Sequence, residues 1–280
     1  MGKRIRASML PAYNDCPRRA IARQFREEIE SFGYQLNKSL PSIGAAVGTA
    51  THKAIELYFQ SKLSGNILHS EPNAHEEAMS GLKEEIKSGV LWDDTTTNIE
   101  TASKQVWRMT NIYIESIGKD INPIATEVPV LAEYEDWELS GTIDLVAEDG
   151  DGVRIVDFKT GKAVRSFHTQ TGAYSLLYRT VNPEQKVNSI AIDFIKRTPG
   201  RNPQEMPISK IYDVGLCEKV AWVTILKIKR DFEEFEKSGD PFVFSENPMS
   251  MLCNEKYCPC FNTDFCPITK NKTVEVKING

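Results

Sequence analysis

No stretch of this chain is apolar and long enough to span a membrane, and neither a low-complexity tail nor a signal-type leader is visible. Met1-Gly2-Lys3-Arg4-Ile5-Arg6 opens into a mixed segment rather than an apolar run. A cytoplasmic protein with no membrane partner is therefore expected. The phosphate-cradling pattern G-x-x-x-x-G-K-[ST] is also missing, which excludes a helicase motor in this polypeptide and leaves any unwinding to a partner. Nor is there an excess of positive charge: 34 Lys and Arg face 39 Asp and Glu, a net charge of -5 that argues against a general nucleic-acid binder. The acids include Glu27-Glu28, Glu84-Glu85 and Glu233-Glu234, which read as solvated helix faces. Bases gather instead at Lys159, Lys162 and Arg165, and again at Lys196-Arg197 and Arg201. Such uneven charge makes a local groove for a phosphate backbone on a globally acidic protein.

What the chain does hold is ordinary core material, 40% apolar over 280 residues, enough for one sizeable core and one elaborated domain spanning 1–280. Its expected parts are a mostly helical 1–120, a central 121–200 and a 201–280 segment of helix and cysteine-rich tail. Helical periodicity is expected from Pro17 toward Phe32, after the Pro41 to Gly44 break, over Asn73 to Val90, Thr101 to Gly118, Ala163 to Thr180 and Val214 to Lys237. Trp107 and Tyr113 recur on the Thr101 to Gly118 helix and read as core aromatics. Alternating runs at Ile124 to Val130 and Trp137 to Ser140, and a later run at Ser189 to Ile195, read as strands.

The chemistry concentrates in the middle. Gly141-Thr142-Ile143-Asp144 leads through Leu145-Val146-Ala147 into Glu148-Asp149-Gly150-Asp151-Gly152, a strong turn signal. Val153 to Val156 then resumes the extended pattern up to Asp157-Phe158-Lys159-Thr160-Gly161-Lys162. This is a β-hairpin with Asp144 on one strand and Asp157 on the other. Asp157 and Lys159, two apart, share a face. Hard carboxylates suit Mg²⁺ or Mn²⁺, and an adjacent ammonium orients a water or balances charge on a phosphodiester. The plainer alternative is a solvated hairpin with surface charges. On the following helix Gln170 and Tyr174, four apart, lie on one face.

In order and spacing, Gly141/Asp144, Asp157/Lys159 and Gln170/Tyr174 resemble the RecB-like branch of the PD-(D/E)XK nuclease superfamily. The resemblance implies a restriction-endonuclease-like α/β fold with a mixed sheet, α-β-β-β-α-β in order, carrying added helices. It also implies an upstream metal-binding histidine on a helix. His52 fits, within a stripe Gly48, His52, Glu56 at spacings of four; an isolated helix histidine bonded to Glu56 is the bland reading. The implied metal set is His52, Asp144, Asp157 and the main-chain carbonyl of Phe158, with Asp144, Asp157, Lys159, Gln170 and Tyr174 as catalytic residues. Glu127, near a strand end, is either an outer carboxylate or an ordinary exposed one.

Four of the six cysteines, Cys253, Cys258, Cys260 and Cys266, crowd the tail, with Cys16 and Cys217 elsewhere. In a cytosolic protein such a cluster binds metal more often than it forms disulfides, and a zinc knuckle is the generic reading. The chain is similar to a subset of the same branch, including the AddB nuclease domain and the CRISPR-associated nucleases, in pairing one N-terminal cysteine with C-terminal ones. That similarity implies a [4Fe-4S] cluster closing the chain like a clasp. It implies Cys16, Cys253, Cys258 and Cys266 as ligands, with Cys260 as the substitute. The subset's usual run is Cys, two residues, Cys, five residues, Cys; here nothing three residues before Cys260 is a cysteine. Cys217 reads as an inert core thiol. The expected activity is that of a Mg²⁺- or Mn²⁺-dependent DNA exonuclease on single-stranded ends, 5′ to 3′ by analogy, working with a helicase or recombination partner. An endonuclease or prespacer trimmer on the same fold is the nearest alternative, and a non-catalytic DNA-end-binding adaptor is one of another class.

Overall fold

A computed structural model describes residues 3–65, 72–163 and 167–270 of the chain. A six-stranded mixed sheet is built from β1 (Lys3–Arg6), β2 (Pro123–Tyr134), β3 (Trp137–Asp149), β4 (Gly152–Gly161), β5 (Val187–Lys196) and β6 (Ile208–Tyr212). Their order is β1-β3-β4-β5-β6, with β2 on the other edge of β3. The hairpin read from the turn signal is present: β3 and β4 are antiparallel, from Leu145↔Val156 to Asp149↔Gly152. Strands β4 and β5 are parallel, as a crossover through a helix requires, and that helix is α7 (His168–Val181).

The eight α-helices among the described residues are α1 (Leu10–Asp15), α2 (Pro17–Gln24), α3 (Arg26–Ser31), α4 (Ile43–Ser64), α5 (Pro72–Ser88), α6 (Ile99–Ser116), α7 and α8 (Val214–Ser238). None is long and apolar enough to cross a membrane. The starts of α4 and α6 are set by side-chain caps, Ser42 accepting from the Ala45 N–H at 3.2 Å and Asn98 from the Thr101 N–H at 2.8 Å. The β-β-β-α-β run expected from the motif spacing is thus present within a mixed α/β fold. Strands β1 and β6 and helix α1 carried no periodic signal. Of the four residues of β1 only Ile5 is buried, and β6 is an exposed edge strand.

The chain divides into two compact units, Met1–Ser8 with Leu40–Trp222 and Met9–Ser39 with Val223–Gly280. In the first, α4, α5 and α6 share one core with Leu145, Val156, Phe158, Ala191 and Ile195 of the sheet. Because side chains alternate along a strand, Val156 and Phe158 of β4 enter that core while Asp157, between them, meets Gln170 of α7. The second unit is held by aromatic packing. Phe25 lies 4.4 Å from Phe232, and Phe235, Phe244 and Phe265 continue the stack. This explains why the helix expected from Pro17 to Phe32 is broken: Phe25 leaves helical geometry (φ -119°, ψ 44°) and is fully buried, separating α2 from α3.

Several bases grouped by sequence are occupied internally. The Arg197 guanidinium, 5% exposed, donates to Asp93 Oδ2 at 2.6 Å and to Thr96 Oγ1, and its backbone N–H bonds the Gly161 carbonyl at 2.8 Å. Lys162 binds Asp94 and Lys196 binds Glu205. The expected basic cluster is therefore largely neutralised from within, and Arg165 lies outside the described residues. Burial acts to raise the Asp93 carboxyl, but Arg197 and the Thr95 and Thr96 amides outweigh it and hold it at about 2. A depressed carboxyl stabilises the fold above its unfolded value, about 3.9, and that contribution is lost as pH falls toward 2. Arg197→Ala should cost about 3 kcal/mol by urea unfolding, because it leaves a carboxylate without its buried partner. The variant should also lose part of the stability decline expected of wild type between pH 4 and pH 2; an unchanged decline would show that the pair is not its source.

Candidate functional site

The site forms where β3 exchanges one neighbour for another. Strand β1 runs along it from Lys3↔Trp137 to Arg6↔Ser140, and β4 takes over on the same edge only from Leu145 onward. Between them Gly141 to Asp144 have no strand on that edge, although β2 follows them on the other. The chain thus opens a fork. The amide of Phe158, on the β4 arm, donates to Asp144 Oδ2 at 2.6 Å and draws that carboxylate toward Asp157.

Two helices close in on the fork. On α4, a Cβ added to Gly48 would sit 2.5 Å from Thr160 Oγ1, so only glycine lets this turn lie against β4. One turn on, the His52 ring meets the edge of Phe158, centroids 5.8 Å apart, and Nδ1 comes within 3.8 Å of Asp144 Oδ2. The bland reading of His52, a hydrogen bond to Glu56, is not what is observed. Glu56 instead accepts from Lys53 at 3.1 Å and Gln60 at 2.8 Å. From the opposite side α7 brings Gln170, whose amide donates to Asp157 Oδ1 at 3.1 Å and to the Tyr174 hydroxyl at 2.9 Å. The Tyr174 ring lies where a side chain on Gly141 would be, 2.5 Å from an added Cβ. Lys159 Nζ donates to Asp157 Oδ1 at 2.9 Å, lies 2.7 Å from Oδ2, and sits 4.8 Å over the Phe167 ring.

All the centrally predicted residues therefore converge: His52, Asp144, Asp157, Lys159, Gln170 and Tyr174 occupy one neighbourhood. Phe158 enters it through its N–H to Asp144; its carbonyl was the expected contact. Glu127 belongs as well. It sits in β2 between Thr126, paired with Leu145, and Val128, paired with Ile143, and hence opposite Asp144. Its φ of +48° is a left-handed backbone, rare for a non-glycine residue and costing about 1 kcal/mol. No local sequence signal announces that twist, which is why a strand glutamate looked ordinary. A buried Tyr113–Asp193 hydrogen bond of 2.7 Å beneath the site also escaped sequence reading, since its partners stand 80 positions apart.

The electrostatics are those of buried acids, raised first by loss of solvent and only then by one another. Burial raises Asp144 to about 6, opposed by Lys159 and the Phe158 amide. Burial likewise raises Asp157 to about 6, with Lys159 opposing and Asp144 adding to the rise. Glu127 is pushed to about 7 by burial and then by Asp144 and Glu56. His52 is lowered to about 4 by burial and by the Lys159 charge, so its imidazole is neutral with a free lone pair. Hard carboxylates beside a neutral imidazole fit a divalent cation in donor chemistry, and a cation would relieve the repulsion. No three His, Cys, Asp or Glu side chains among the described residues are closed into a finished ligand set.

The tail cysteines lie in the second unit. Cys16, Cys258, Cys260 and Cys266 are buried and Cys253 is half-buried. Cys16, Cys258 and Cys266 each act electrostatically on both Cys253 and Cys260, so five thiols share one neighbourhood. The guanidinium of Arg18 donates to Cys266 Sγ at 3.8 Å, and the Cys260 thiol donates to the Arg18 carbonyl at 3.8 Å. Hydrogen bonding with Cys260, its backbone amide included, holds the Cys258 thiol below its ordinary value. These thiols too form no closed set of three, and the structure by itself assigns them no metal. Cys217 is buried, and burial raises its thiol, as an inert core position requires.

No curated protein matches the chain significantly. A candidate exonuclease from Eubacterium rectale is 11% identical, with 90% of this chain and 87% of that one covered at a TM-score of 0.49. LHK-Exo, solved in complex with dAMP, is also 11% identical, with 70% and 96% covered at a TM-score of 0.31. The family model for the PD-(D/E)XK nuclease superfamily matches residues 4–260, nearly the whole chain and the fork with all its acids. The chain belongs to the PD-(D/E)XK nuclease superfamily.

Proposed function

We propose that the protein is a divalent-metal-dependent deoxyribonuclease that trims single-stranded DNA from its ends, with 5′ to 3′ polarity by analogy. The observation that carries the reading is the pair Asp144 and Asp157 held in the fork with Lys159 bound to Asp157. Members of this superfamily typically use Mg²⁺ or Mn²⁺. His52, Asp144 and Asp157, with the Phe158 carbonyl and Glu127 beside them, would hold the metal, which when bound lowers the pKa of water and polarises the phosphodiester. Lys159 supplies a fixed positive charge for the phosphate in the transition state, or positions the attacking water. Gln170 fixes the Asp157 carboxylate by donating to Oδ1, and with the same amide it fixes Tyr174. The Tyr174 hydroxyl, which burial keeps un-ionised, retains its own proton to donate to a phosphate oxygen.

For the cysteines we infer a structural [4Fe-4S] cluster on Cys16, Cys253, Cys258 and Cys266, with Cys260 as the alternative ligand. What supports it is the family resemblance and the gathering of five thiols in one unit; hydrolysis needs no electron from it. Anaerobically purified protein should be brown, with absorbance near 400 nm, an expectation set by cluster chemistry at about four irons per chain. A colourless preparation with stoichiometric zinc would overturn it.

Two outcomes test the active centre. Lys159→Ala should lower Mn²⁺-dependent degradation of end-labelled single strands by about 10²–10³-fold. Closed circles should survive with either protein; their cleavage by wild type would indicate an endonuclease, and DNA binding without cleavage in either metal would sink the enzyme reading. The second concerns charge. A carboxyl raised from 4.5 to about 7 favours the fold while protonated and costs stability as pH climbs through that range. Glu127→Gln should therefore raise the Tm of metal-free protein more at pH 8 than at pH 5.5, and should shrink the Tm increment given by Mn²⁺ at pH 8. Equal shifts at both pH values would remove Glu127 from the charged cluster.

A further inference from the structure

Beside the fork lies a pocket of about 540 Å³ whose lining includes Arg6, Ser8, Leu131, Ser140, Thr142 and Tyr174. Its position follows from the pairing of β1 with β3. Arg6 lies opposite Ser140, the last paired position before β3 loses its neighbour, so Arg6 stands where the fork opens. The two basic residues here differ. Arg4 is held by Glu138, Nε to Oε2 at 2.6 Å, whereas exposed Arg6 has no hydrogen-bond or ion-pair partner among the described residues. Three hydroxyls, from Ser8, Ser140 and Thr142, surround the same space, and no carboxylate lines it. Tyr174 forms part of the wall. Since its oxygen accepts from Gln170, its hydroxyl proton is free for a ligand. An unpaired guanidinium with neutral donors and no acid matches a phosphate and excludes a cation. Leu131, half exposed, and Val130 give an apolar wall against which a sugar or base can lie.

We infer that this pocket is a phosphate subsite that grips the DNA strand one step away from the bond being cut, with Arg6 as its charged anchor. The identity of the ligand as DNA rests on the nuclease reading; the preference for phosphate rests on the pocket. An internal phosphodiester and a terminal phosphomonoester share the chemistry, and strand form separates them.

The test is binding of fluorescent oligothymidylates in EDTA, where no cleavage occurs. It compares strands that are 5′-phosphorylated, 5′-hydroxyl and closed into circles. Arg6→Ala should weaken binding by about tenfold, as loss of a charge-assisted contact does. It should also flatten the slope of log K against log salt by about 0.7, the value for one phosphate contact on a single strand. Arg6→Lys should recover part of the affinity, and Ser8→Glu, which brings a like charge into the pocket, should weaken binding independently. Equal losses on linear and circular strands assign an internal phosphodiester; a loss confined to 5′-phosphorylated strands assigns the terminal group. Unchanged affinity and slope in Arg6→Ala and Ser8→Glu, with both variants melting as wild type, would overturn the subsite. Absence of Mn²⁺-dependent cleavage by wild type would instead overturn the nuclease reading, a separate measurement that leaves the binding result standing.

Discussion

Everything at the site depends on β3 changing partners. A strand paired continuously on both edges has its N–H and C=O groups consumed by neighbours, leaving no room for a ligand along its edge. Here the partnership with β1 ends at Ser140 and that with β4 begins at Leu145. The intervening four residues carry Gly141, against which Tyr174 packs, and Asp144, which takes the Phe158 amide as a substitute partner. The hydrogen bond to Asp144 thus continues the β3–β4 ladder through a side chain. It fixes the carboxylate against the β4 backbone at the point where the ladder ends.

The fork concentrates acids at a cost that the rest of the unit bears. Asp144, Asp157 and Glu127 are each raised well above ordinary carboxylates, which means that each favours protonation and resents its neighbours. Lys159 is bonded to Asp157, and Lys53 tempers Glu127 from the α4 side. Behind them the Phe59, Tyr113 and Phe158 rings pack edge-on or stacked, so the low-dielectric wall that penalises charge is also the core joining α4 and α6 to the sheet. Stability lost at the acids is what a bound cation would restore, the usual exchange at a functional site.

Much of this was legible because the site is local in sequence where it matters. Asp144, Asp157, Lys159, Gln170 and Tyr174 fall within some thirty positions, and strand and helix periods place them on facing surfaces without any long-range knowledge. His52 was legible through the family resemblance, which implies an upstream helix histidine, and the Gly48, His52, Glu56 stripe fits that expectation. What could not be read depends on tertiary contacts or on backbone states with no compositional signature. The left-handed Glu127 is one case, the break at Phe25 another, and β1 a third, since three of its four residues are charged and only its pairing with β3 makes it a strand. The basic cluster misled for a related reason: composition counts a lysine as free, whereas Lys162, Lys196 and Arg197 are matched by Asp94, Glu205 and Asp93 across the fold.

The net charge of -5 and a nucleic-acid substrate are reconciled by how the two arms of the fork divide the charge. Asp157 on the β4 arm and Asp144 on β3 beside it would repel a phosphate in the absence of a cation, whereas the β1 arm carries Arg6, which unlike Arg4 is not matched by a carboxylate among the described residues. Affinity for a polyanion is then set within a few ångströms of one strand edge rather than by the protein's overall sign. Binding and chemistry are also separated in space, because the phosphate held on the basic arm need not be the one exposed to the acids. On the proposed reading, a strand gripped at β1 would present the next bond to Asp144 and Asp157, which ties the place of cutting to the edge where β3 changes partners.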